Sequence, residues 1–329
     1  MRVPHYVQLG GVVLLILAAA GAGDEHSAGV AIRSSRRGTK SEEEEQRKQC
    51  WVFTHMNKSG GQTVKGILKP YVEDRGISTG LYDWQQWNEG TSYVTEYLAE
   101  KNTITWGGYT EALRPHGAGQ CKWFTVFRHP VARLVSAYFY CKQTPGDHLC
   151  GSTIARAEEM DIVTFAKHWT NFGLRQFALS FVSPEDVMSS RSAFDCPTCP
   201  DWYLVREYLN EAHRKRSRAY APDAGMYKYL EPVQAVLGSK YAAVGILEQY
   251  NSTLELFNRA LGFPGLDWST AFRQHGVQNN LRENKDAEHE ALRLAWTDLK
   301  IKKYLRLDLL LYEHAVSVNR QQRAQYGLL

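Results

Sequence analysis

Lys58 and Ser59 stand directly before Gly60 and Gly61, with Gln62 and Thr63 following, in the run HMNKSGGQT that starts at His55. Glycines let backbone N–H groups approach an anion closely, and a helix beginning behind them adds the positive end of its dipole. Lys58 brings a point charge for phosphate-like oxygens, and Ser59 and Thr63 bring hydroxyls. The order is not that of a Walker A loop, because the lysine precedes the glycines and GxxxxGK[ST] is absent. Taken alone, the run also fits a plain glycine turn carrying a surface lysine. A second set lies about 65 residues downstream, in residues 124–140 (FTVFRHPVARLVSAYFY). A strand there delivers Arg128 to a turn, Pro130 suits a first helical position, and Ser136 follows about two turns in. Arg133 and Ser136 are three apart and share a helix face. A guanidinium at the strand end and a hydroxyl on the next helix can grip one phosphate from two sides. A helix cap with a surface arginine explains Pro130 but not the whole set.

These residues need a scaffold of alternating strands and helices. Residues 50–55, 104–106, 122–127 and 241–246 are short apolar runs of the kind that form buried strands. Residues 63–72, 131–140, 251–261 and much of 285–325 read as helices, and Asp161 can cap another running to Trp169. This alternation predicts an α/β fold: a P-loop-like, mainly parallel sheet with helices on both faces, in one domain over residues 50–329.

Composition bounds the rest. The chain has 329 residues, of which 43% are hydrophobic and 22% charged, which excludes a disordered chain, a collagen and a coiled-coil rod. Its 9 Trp, 18 Tyr and 12 Phe are enough for a sizeable core. A net charge of +4 does not by itself make a nucleic-acid binder. Residues 7–22 are almost unbroken apolar behind Arg2, which reads as a signal peptide or a type II signal anchor. Residues 23–49 balance six acids against six bases and read as a flexible stem. Both readings of the leader send the chain into the secretory pathway, so its six cysteines are expected to be oxidised. Cys141 and Cys150 bracket a polar Pro-Gly loop and form a plausible local bridge. Cys196 and Cys199 suit a tight disulfide, or half a zinc site that has no second ligand pair at matching spacing. Asn251 begins a glycosylation sequon; Asn57 begins another, which should stay bare if its loop holds a ligand.

The loop HMNKSGGQT resembles the HIPKTGGTS-type loop of Golgi carbohydrate sulfotransferases, and FRHPVARLVSAYFY resembles their FRxPxxRxxSxYxY signature. Val244-Gly-Ile-Leu-Glu248 and Asp308-Leu-Leu-Leu-Tyr-Glu313 resemble later landmarks, so the similarity touches most of residues 50–315, nearest to the heparan sulfate 2-O- and 6-O-sulfotransferase-like enzymes. The resemblance implies a single sulfotransferase domain in the Golgi lumen that uses 3′-phosphoadenosine-5′-phosphosulfate (PAPS), with membrane attachment only through the leader. It also implies that Lys58, Ser59, Gly60, Gly61, Gln62 and Thr63 surround the 5′-phosphosulfate, while Arg128 and Ser136 hold the 3′-phosphate. Lys58 is expected to stabilise charge on the bridging and leaving oxygens, and no metal is called for.

The base that accepts the proton of the acceptor hydroxyl is where the chain departs from these relatives. Gly80-Leu-Tyr-Asp-Trp84 resembles part of the 6-O region but has Tyr82 where a His is expected, and Trp106-Gly-Gly-Tyr109 resembles the 2-O region without a His. His116 is the only histidine between the two signatures and the named candidate; Glu73, Asp83 and Glu111 are the others. His55 is expected to shape the loop. The expected acceptor is an anionic polysaccharide, drawn to Arg206, Arg214, Lys215, Arg216 and Arg218 and to Lys300, Lys302, Lys303 and Arg306. Trp84, Trp87, Trp202 and Tyr203 are candidates for stacking on sugar rings. The alternatives are a non-catalytic glycan-binding protein on the same fold, a P-loop kinase, and a protein-tyrosine sulfotransferase.

Overall fold

Four runs of buried apolar residues become the longer strands of a sheet: β1 (Cys50–Thr54), β3 (Thr103–Gly107), β4 (Lys122–Phe127) and β5 (Tyr241–Ile246), with β5 at one edge. The short strand β2 (Ser78–Leu81) forms the other edge. All four pairings are parallel and the order is β2-β3-β1-β4-β5. The computed structural model describes residues 50–82, 103–116, 120–145, 147, 150, 157–182, 224–275 and 285–329. The leader, the stem, Asp83, Trp84, Trp87, Cys196, Cys199, Trp202, Tyr203 and the basic run from Arg206 to Arg218 lie outside these residues, as does the side chain of His116.

Alternation along β1 assigns its side chains to two faces. Val52 packs on one face with Trp123, Val244 and Ile246, beneath α4 (Phe172–Ala178), α5 (Ala224–Lys240) and α10 (Arg306–Gln325). Trp51 and Phe53 pack on the other with Phe124 and Val126, beneath α1 (Gly61–Arg75), α6 (Tyr250–Ala260) and α7 (Trp268–His275). A parallel sheet covered on both faces has no solvated side, so its inner strands carry apolar residues at nearly every position. A third cluster joins α2 (Pro130–Gln143) to α3 (Ile162–His168), α8 (Lys285–Thr297) and α9 (Leu299–Tyr304). The expected α/β architecture with helices on both faces is what the chain adopts. The expected cap is present too: the Asp161 side chain accepts from the Thr164 N–H at 2.7 Å.

The strand order places the chemistry. The chain leaves β1 for β2 and β3 on one side, then crosses to β4 on the other side of β1. The loops after β1 and β4 therefore leave the same sheet edge side by side, at the reversal point where open α/β sheets form a crevice.

Two disulfides tie this scaffold. Cys141–Cys150 closes the polar loop as expected, and Cys50–Cys121 straps the beginnings of β1 and β4 across 71 residues. The double variant Cys50→Ala/Cys121→Ala is expected to lose about 2–4 kcal/mol of stability, chiefly because the unfolded chain gains freedom. Denaturant melts of the variant and the oxidised parent check this; matched midpoints contradict it.

Candidate functional site

The loop begins where β1 ends, and a buried network fixes that exit. The Thr54 hydroxyl meets the Tyr241 hydroxyl at 2.7 Å, and the Thr54 carbonyl accepts from the Thr125 hydroxyl at 2.8 Å. Tyr241 in turn donates to Glu111, whose carboxylate is also gripped by Arg114. His55 N–H then donates to the Gly107 carbonyl at 3.0 Å.

The glycines answer to close contacts. A Cβ on Gly61 would sit 1.8 Å from the His55 ring, so only glycine lets the imidazole lie against the start of α1. Gly60 caps α1 at φ 83°, a left-handed conformation that favours glycine, and no side chain caps this helix end. The first turn of α1 carries no acidic residue, so the positive pole of the helix faces the loop uncancelled by its own side chains. Lys58 also adopts a left-handed conformation, at φ 64°. Ser59 is fully buried and its hydroxyl lacks a hydrogen-bond partner among the described residues, whereas Gln62 is exposed and Thr63 half-buried.

His55 shapes the loop, as its place against Gly61 requires. Burial, then the charges of Lys65 and Lys58, push its pKa down to about 3. The folded state therefore binds fewer protons than the unfolded state between about pH 3 and 6.5, and stability is expected to fall as pH drops below about 6.5. Melting temperatures from pH 7 to 4 for the parent and His55→Gln check this. The parent should lose more stability than the variant, and parallel curves contradict the assignment.

The second set meets the first. Arg128 leaves β4 and its Nη1 donates to the Lys58 carbonyl at 3.3 Å. The Lys58 ammonium lies 3.7 Å from the centre of the Tyr140 ring, and the Tyr140 hydroxyl donates to Asp147 at 2.7 Å. Arg133, Ser136 and Tyr140 follow i, i+3, i+7 spacing on α2, so one stripe of that helix carries all three. Ser136 is buried within the stripe. Arg133 is buried in an ion pair with Asp308 at the start of α10. Asp308 also accepts from the N–H groups of Gly173 and Leu174, at 3.1 and 2.8 Å.

Glu248, just past β5, completes the edge. Its carboxylate accepts from the His129 N–H at 2.8 Å and from the Tyr312 hydroxyl at 3.0 Å. His129 caps α2 through Nδ1 and stacks on Trp296 with ring centres 4.2 Å apart. Burial, partly offset by Glu248 and then reinforced by Arg133, holds the Arg128 pKa below its ordinary value.

Among the candidate bases, Glu111 is buried and committed to Arg114 and Tyr241, which removes it from any incoming hydroxyl. Glu73 lies 12 residues along α1, about 18 Å from the loop at 1.5 Å per residue. The backbone of His116 ends a 3-10 helix, Thr110–His116, that follows β3. Tyr82 is buried, its hydroxyl has no partner among the described residues, and burial pushes its pKa up to about 12. It adjoins the exit of β3: Tyr82 N–H donates to the Trp106 carbonyl and Tyr109 N–H to the Tyr82 carbonyl. The two segments singled out for lacking a His thus lie side by side.

Tyr140, Glu248 and Asp308 all lie within the signature segments of the sequence, but their contacts are set by the fold. The helical period of α2 was the usable signal for Tyr140. The residues present fit an anionic ligand: a buried serine hydroxyl without a partner, an ammonium, a guanidinium and an uncapped helix start share one edge. No family model and no curated protein matches the chain.

Proposed function

We propose that this chain is a PAPS-dependent carbohydrate sulfotransferase of the secretory pathway, working in the Golgi lumen on an anionic polysaccharide. The observation that carries the reading is the convergence of two distant segments, in which Arg128 donates to the carbonyl of Lys58. One segment offers glycine backbone, a helix start and an ammonium; the other offers a guanidinium and the Ser136 stripe. A nucleotide with phosphate groups at both ends suits that pair, and the P-loop-like reading of β1, its loop and α1 belongs to the same proposal. When bound, PAPS supplies an activated sulfuryl group for direct in-line displacement. Lys58 stabilises the charge that develops on the leaving oxygens, the α1 N-terminus orients the 5′ end, and Arg128 and Ser136 hold the 3′ end. Lys300, Lys302 and Lys303 are exposed on α9 and Arg306 at the start of α10, and their charge attracts an acidic chain.

A second reading rests on Tyr82 and Glu111. Tyr82 stands buried where a His is expected from the resemblance, and Glu111 is locked in its network. A glycan-binding protein on the same fold would have that arrangement. Incubation with labelled PAPS and a panel of sulfated and unsulfated polysaccharides, followed by linkage analysis, separates the two. Label on a sugar hydroxyl is expected; tight glycan binding with no label on any acceptor would establish the binding protein instead.

A further inference from the structure

Arg133 holds a donor that nothing among the described residues uses. Its Nη2 pairs with Asp308, while its Nη1 is buried with no hydrogen-bond partner. Asp308 already accepts from Arg133 and from two α4 N–H groups, and its single negative charge offsets one guanidinium, not two. Arg133 and Arg128 line one recess, together with the carboxylate of Asp308 and with Met56, Pro130, Gly173 and Tyr312. The recess is open to one side and encloses about 10 Å³, room for about one oxygen atom or one water. A side chain on Gly173 would come within 3.2 Å of both terminal nitrogens of Arg133, so glycine there leaves the guanidinium its place.

Two guanidinium groups facing one small recess repel each other, and Arg128 carries that repulsion from Arg133. A water satisfies the unmet N–H but not the repulsion; an anionic oxygen satisfies both. Glu248 also acts on Arg128, and its two oxygens each accept a hydrogen bond from elsewhere, from His129 N–H and from Tyr312. We infer that the recess seats one unesterified oxygen of a terminal phosphate, with Arg133 Nη1 and Arg128 as its donors, so that Arg133 is a ligand-binding and specificity-determining residue. Assigning that oxygen to the 3′-phosphate of the donor rests on the sulfotransferase reading; the oxyanion recess itself does not.

The test measures binding of 3′-phosphoadenosine-5′-phosphate, adenosine 5′-phosphate and inorganic phosphate to the full chain by calorimetry at fixed ionic strength. Arg133→Lys keeps a charge opposite Asp308 and removes the fork. The paired variant Arg133→Met/Asp308→Leu removes both charges, which keeps the buried site neutral if the lysine form fails to fold. The parent should prefer the bisphosphate over adenosine 5′-phosphate by at least about tenfold, and each folded variant should lose roughly tenfold of that preference. An unchanged preference in a folded variant overturns the inference and leaves the donor reading standing. Binding of inorganic phosphate that depends on Arg133, with neither nucleotide bound, supports the recess and overturns the donor reading. No binding of phosphate or bisphosphate by the parent means that the recess holds water only and overturns the inference.

Discussion

Lys58→Ala should lower sulfuryl transfer by about 10²–10³-fold while the protein stays folded. A positioned cation removed from a developing oxyanion typically costs that much, because the stabilisation exists only as charge appears on the leaving oxygen. The fold has little stake in the side chain. Alanine keeps the left-handed backbone requirement that Lys58 meets at φ 64°, and the carbonyl that Arg128 bonds belongs to the main chain. The Tyr140 contact is one that the fold loses, worth about 0.5–1 kcal/mol at a half-exposed site. The turnover number with labelled donor and the melting temperature are the paired readouts. A variant that transfers sulfate at the parent rate would remove Lys58 from the mechanism.

The largest stability effect is expected at Asp308. Asp308→Ala leaves the Arg133 charge buried without a counter-ion and strips the acceptor from two α4 N–H groups. Breaking one side of a buried pair costs about 3–5 kcal/mol, and each buried N–H left unmet adds to that. The melting temperature should drop by on the order of 10 °C. Arg133→Met/Asp308→Leu should recover most of the loss, because an apolar pair of similar volume avoids burying a lone charge. Denaturant melts of the single and double variants measure this. Equal destabilisation in both would mean that the N–H acceptors, and not the charge, hold α4 to α10.

The longer strands were legible because a parallel strand covered on both faces must be apolar almost throughout, and residues 122–127 and 241–246 are so. The edge strand β2 was not. Ser78-Thr-Gly-Leu81 is four residues long, alternates between half-buried and exposed, and contains a glycine, so it carries no apolar run. The helical stretch 285–325 divides into three because Asp298 caps α9, its side chain accepting from Lys300 and Ile301, and α9 stops at Leu305. Such breaks are local, but Asp298 lies inside a periodic pattern that conceals it. The Cys50–Cys121 bridge depends on β1 lying beside β4, a tertiary fact that no short window of sequence holds.

The candidate site divides in the same way. The loop around Lys58 and the Arg133–Ser136 stripe were readable because each lies within one strand–turn–helix segment. The partner of Arg133 is 175 residues away and that of His129 is 119 residues away, so the roles of Asp308 and Glu248 needed the fold. His55 shows where local reading sufficed: its place beside Gly61 follows from a glycine six residues on.

Hydrogen exchange with and without 3′-phosphoadenosine-5′-phosphate tests most directly whether one nucleotide bridges both segments. Slowed exchange is predicted at the amides of residues 57–64 and of residues 128–136 together, at a single saturating midpoint, and with weaker protection from ATP-Mg. Protection confined to one segment, or ATP-Mg protecting as well as the bisphosphate, would contradict the shared clamp on which the sulfotransferase reading stands.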